Sequence, residues 1–94
     1  GNDILLRYRE ATNGKSNLTT FAITAPFAAL TLTNAVWRAL GSGVDNGALL
    51  STAVMAQIIS ADTSISFFAT PTGGGWTNAN GKRVAFIEMR YPVA

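Results

Sequence analysis

Ninety-four residues with 48% apolar side chains make one globular domain, and 13% charged residues with a net charge of +2 argue against both disorder and a nucleic-acid footprint. The absence of cysteine and histidine excludes disulfide staples, thiol chemistry, imidazole acid–base catalysis and nearly every zinc site. A core this small gives a narrow stability margin without staples or a metal, so oligomerisation is the expected supplement.

From the N-terminus, DILLRYRE sets Ile4, Leu6 and Tyr8 on one side and Leu5, Arg7 and Arg9 on the other, the period of a strand. ATNGKSN is a turn cluster whose Asn13–Gly14 pair suits positive φ angles. LTTFAIT is rich in β-branched and aromatic residues and reads as a second strand ending at Pro26.

The middle admits two readings. PFAALTLTNAVWRALG fits a helix opening at Pro26 with Phe27, Leu30, Trp37 and Leu40 on one face, but Thr31, Thr33 and Val36 favour a sheet. DNGALLSTAVMAQIIS offers a helical start at Asp45 or Asn46, yet Leu50, Thr52, Val54, Ala56 and Ile58 also alternate. STAVMAQII–SADT–SISFFAT reads as two strands joined by a tight turn at Ser60 to Thr63, so the strand reading is preferred. Trp37 is expected in a core or subunit contact, with Arg38 reaching water or an acid such as Asp45.

GKRVAFIEMRYPV places Ala85, Ile87, Met89 and Tyr91 on one face, opposite Val84, Phe86, Glu88 and Arg90, and Pro92 ends the strand. Glu88 is expected to pair with Arg83, Arg38 or a neighbouring subunit's arginine. No stretch reaches the roughly 18 consecutive apolar residues of a membrane span. Residues 1–94 therefore read as a single all-β domain, a small antiparallel β-sandwich or barrel.

The loop FFATPTGGGWTNANGKR carries the leading site candidates. Trp76 beside Thr77, Asn78 and Asn80 has the residue types that hold a neutral sugar, an amphipathic ring next to amides. The same indole folded back over the core would be a plug, and this second role is the preferred one. Asp45 and Asn46, in the stretch Gly41 to Gly47, form a second candidate contact loop. That stretch has its third glycine one position late for a dinucleotide fingerprint and lacks the lysine of a phosphate loop, so it reads as loop and turn.

Asp45 and Asp62 lack the converging oxygens of a calcium site, and nothing brings Asp62 and Glu88 together as a glycosidase pair. Neither Lys15 nor Lys82 lies in an apolar context that would make it a base. No catalytic residue, metal or cofactor is expected, and Asn17-Leu18-Thr19 carries no weight as a glycosylation motif. Ile87, Met89 and Tyr91, with Phe67 or Phe68 (Phe68 being preferred), exceed what a thin sandwich needs on both faces, so an intersubunit core is one expectation and the chain's own core the equal alternative.

AVMAQIISADTSISFF, followed by GGGWTN and then GKRVAFIEMRYPV, resembles the small β-sandwich tip and decoration domains of tailed-bacteriophage tail-fibre and head-fibre proteins. TFAITAPFAAL and NAVWRALGSGVDNG fit the same style. The resemblance implies a homotrimer at a virion surface, the C-terminal module of a longer fibre or virion protein, attaching to a host cell-surface saccharide or protein. It equally implies the alternative of a purely structural trimerisation or decoration domain. A free-standing carbohydrate-binding lectin is the remaining reading, and no nucleic acid or membrane insertion is expected.

Overall fold

A computed structural model describes residues 2–10, 21–77 and 81–93. The described chain is all β, with strands β1 (Asn2–Tyr8), β2 (Phe21–Thr24), β3 (Val36–Asp45), β4 (Ala48–Leu49), β5 (Val54–Ile59), β6 (Ser64–Phe68) and β7 (Arg83–Val93). They form one antiparallel sheet in the order β1-β7-β3-β5-β6-β2, with β4 added to β3, curled into a half-barrel. The helical readings of the middle segments give way to strand from Val36 onward and to irregular backbone over residues 25–35.

Curling brings the concave face into a single core. Ile4 pairs with Tyr91, Leu6 with Met89 and Tyr8 with Ile87. The same face continues through Trp37 opposite Ile58, Ala39 opposite Ala56, and Phe67 between Ala56 and Phe21. Tyr8 then stacks on Phe67 across the curl, with ring centroids 5.2 Å apart. Two strands four places apart in the sheet thus meet face to face, which fills the interior without a second sheet.

Gly41 and Gly43, expected in a loop, lie inside β3. A Cβ on Gly41 would sit 2.8 Å from the Ile87 Cβ, and one on Gly43 would sit 2.6 Å from a Val54 methyl. These two positions admit only glycine because the neighbouring strands press on β3 from both sides. Beside them the β3–β7 register slips between Ser42 and Gly43, which inserts Ala85 as an extra residue in β7. Val84 consequently faces the core together with Ile87, Met89 and Tyr91, where simple alternation put it on the opposite side.

Both ends of the half-barrel are covered. At one end residues 25–30 cross beneath the core: Ala25 and Ala29 donate to the carbonyls of Thr63 and Asp62, and Leu30 donates to that of Pro92. The Tyr91 hydroxyl donates to the carbonyl of Phe27 at 2.8 Å, tying this crossing to β7. Trp76 closes the other end.

Candidate functional site

The route to Trp76 begins at Thr70. The backbone N–H of Gly74 donates to Thr70 Oγ1 at 2.8 Å, and that of Ala69 donates to the Gly74 carbonyl. Gly73 turns the chain with φ of 90°. The glycines therefore fold the loop back on itself, which returns the next aromatic to the sheet. Trp76 is 2% exposed, its ring centroid lies 5.9 Å from that of Phe21, and its indole N–H donates to the Phe67 carbonyl at 2.9 Å. A buried ring with its polar atom satisfied offers no face to a sugar, so Trp76 is withdrawn as a ligand contact.

The second candidate loop is a type I′ hairpin turn. Asp45 pairs with Ala48, and Asn46 and Gly47 between them have φ of 51° and 77°. The Asp45 carboxylate accepts the Thr77 hydroxyl at 2.9 Å and the Thr77 backbone N–H. The Gly47 N–H donates to the carbonyl of Gly81 at 2.9 Å. The two candidate loops are thereby joined at one end of the molecule. Asp45 is committed to this joint and Asn46 is exposed beside it. Asn78 and Asn80 lie outside the described residues.

Arg38 is exposed, as its reach to water requires, and its Nε donates to Gln57 Oε1 at 3.0 Å and not to an acid; Glu88 is corrected, pairing with Arg7 at 2.9 Å. Asp62 caps its own turn by accepting the N–H groups of Thr63 and Ser64. Lys82 is fully buried at the start of β7. Among the described residues no group of three or more Asp and Glu residues is arranged to hold a metal ion.

The expected oligomer contacts divide in an informative way. Ile87, Met89 and Tyr91 are buried within the chain's own core, covered by β1 and the curled sheet, so no neighbouring subunit reaches them. Phe68 lies on the convex face, where Met55 pairs with it on one side and with Leu40 on the other. Leu40 is 60% exposed, and Phe86, opposite Ser42 on the adjacent strand, is 45% exposed. β3 and β7 thus carry large exposed apolar side chains on the outside and β6 a half-buried one, while Met55 of β5 between them is buried. Sequence alternation did not single out these residues, since both faces of β3 are apolar. Chemically they form a surface for burying against another apolar surface.

A groove of about 350 Å³ beside β2, lined by Phe21, Phe67, Phe68 and loop glycines, contains no titratable side chain. No known protein family, curated protein or solved structure matches the chain.

Proposed function

We propose that the chain is a non-catalytic assembly module that joins copies of itself through the convex face of its sheet. The observation that carries this reading is the exposed Leu40 and Phe86 and the half-buried Phe68, set around the buried Met55 on a sheet whose concave side is already filled. Leucine and phenylalanine side chains exposed on one face of a sheet that also exposes arginines have the composition of a protein–protein contact. Glu10, Asp45, Asp62 and Glu88 each accept a hydrogen bond from the chain itself, which favours architecture over acid–base work. The resemblance to virion tip and decoration domains adds the setting, a homotrimer on a particle surface.

Light scattering on the isolated chain tests this proposal: it predicts an oligomer, and a monomer at every accessible concentration overturns it.

A receptor-binding role is the second reading, favoured by the joint that sets Thr77 and Gly81 against the Asp45–Gly47 turn. It rests on Asn46 in place of Trp76. A glycan array checks it, with binding that is weakened by Asn46→Asp as the supporting result and no binding as the contrary one.

A further inference from the structure

The Asn46–Gly47 pair at the tip of the β3–β4 hairpin carries a chemistry that neither reading of the function uses. Both residues are exposed, and they turn the chain with φ of 51° and 77°. Asparagine followed by glycine is the pair in which the next backbone nitrogen attacks the side-chain amide most readily, because glycine has no side chain to hinder that nitrogen. The chain therefore places a reactive amide and its own nucleophile at an exposed turn.

The fold also holds this reaction back. The Gly47 N–H donates to the Gly81 carbonyl at 2.9 Å. Gly81, with φ of 88°, packs so closely that a Cβ on it would sit 2.9 Å from the Gly47 nitrogen. One residue before the pair, the Asp45 carboxylate accepts the Thr77 hydroxyl at 2.9 Å and the Thr77 backbone N–H. A nitrogen whose proton is engaged by a carbonyl is a poor nucleophile, and a turn fastened on both sides is not free to swing towards the Asn46 side chain.

We infer that Asn46 is a self-modification site gated by the joint between the β3–β4 turn and Thr77 and Gly81. When the joint opens, the Gly47 nitrogen bonds to Asn46 Cγ and the Cγ–Nδ2 bond breaks. The departing nitrogen takes the Gly47 proton and leaves as ammonia. Water then opens the five-membered imide, giving aspartate if it cleaves at Cγ and isoaspartate if it cleaves at the former main-chain carbonyl. Either product sets a second carboxylate beside Asp45, and isoaspartate lengthens a two-residue turn by one backbone carbon. Both loosen the joint that slowed the reaction, so the change runs one way. The inference concerns this joint alone and holds whether the chain self-associates or binds a glycan.

The test incubates the chain at mildly alkaline pH without urea, in low urea and in denaturing urea, and follows conversion at position 46 by peptide mapping and mass spectrometry. Fragmentation separates this position from the Asn13–Gly14 and Asn80–Gly81 pairs of the sequence. Conversion in the folded chain is expected to be slower than in the denatured chain by about tenfold or more, and unchanged in low urea because opening the joint exposes little surface. Thr77→Val, shown to be folded by circular dichroism, loses the hydroxyl bond and is expected to convert about three- to tenfold faster. Equal rates in the folded and denatured chains, a rate that climbs through low urea in step with global unfolding, an unchanged rate in folded Thr77→Val, or no conversion in either folded protein overturns the inference. The urea series on the wild type decides the matter even if the variant does not fold.

Discussion

The indole nitrogen of Trp76 donates to the carbonyl oxygen of Phe67 at 2.9 Å, so the loop aromatic is fastened to a central strand of the core. Phe67 in turn stacks on Tyr8 and meets Phe21 edge-on. One backbone carbonyl thus links the loop to the point where the curl closes. Trp76→Ala is expected to cost about 3–5 kcal/mol through the cavity it leaves. Trp76→Phe keeps most of the packing and is expected to cost about 1–3 kcal/mol, because the buried carbonyl loses its donor. Urea denaturation followed by far-ultraviolet circular dichroism measures both.

Gly41 tests the tightness of the β3–β7 contact. Gly41→Ala places a methyl 2.8 Å from the Ile87 Cβ and against the Phe86 carbonyl, with β5 packed on the other side. A loss of about 3 kcal/mol is expected from the forced backbone shift. Thermal unfolding reads it. A variant as stable as wild type would show that the strands separate easily.

Ala61 occupies the left-handed region with φ of 63° in the turn between β5 and β6. A side chain with a Cβ is strained there, and glycine is not. Ala61→Gly is expected to stabilise the fold by about 0.5–1 kcal/mol, net of the extra freedom glycine adds to the unfolded chain. The measurement is the shift in denaturation midpoint at constant m-value.

Tyr8 supplies a pH dependence. Burial first, and the nearby Glu10 carboxylate second, raise its hydroxyl above the ordinary value of 10.0. Neutral Tyr8 is therefore favoured in the folded state. Its contribution is complete below the unfolded value and is lost as pH rises through the raised folded value. Tyr8→Phe is expected to show a shallower loss of stability above about pH 10 than wild type, by denaturation at several alkaline pH values.

How much of this was legible follows from what sequence periodicity encodes. Ile4, Leu6 and Tyr8 alternate because one side of β1 faces the core and the other is exposed, and Val54, Ala56 and Ile58 share the core face of β5. The turn at Ser60 to Thr63 announces itself by its polar residues. Alternation fails at Ala85, where a single inserted residue flips the following side chains and leaves no compositional mark. Gly41 and Gly43 resemble loop residues because their reason for being glycine sits on β5 and β7, far along the chain.

The same limit applies to the site. Trp76 lies in a polar, glycine-rich context, and only Phe67 and Phe21, distant in sequence, show that it is buried. Arg7 and Glu88 are joined by β1–β7 register alone. Leu40 could not be ranked above Trp37 as a surface residue, since the curl decides which side of β3 faces out.

The central claim is that the convex row, and not the tryptophan loop, carries the contact between copies. Its most direct test is the solution mass of wild type, Leu40→Gln and Trp76→Phe, measured side by side by light scattering at matched concentrations. The account predicts the same oligomer for wild type and folded Trp76→Phe, and a folded monomer for Leu40→Gln. A monomeric wild type, or an oligomer that survives Leu40→Gln and dissociates with Trp76→Phe, would contradict it.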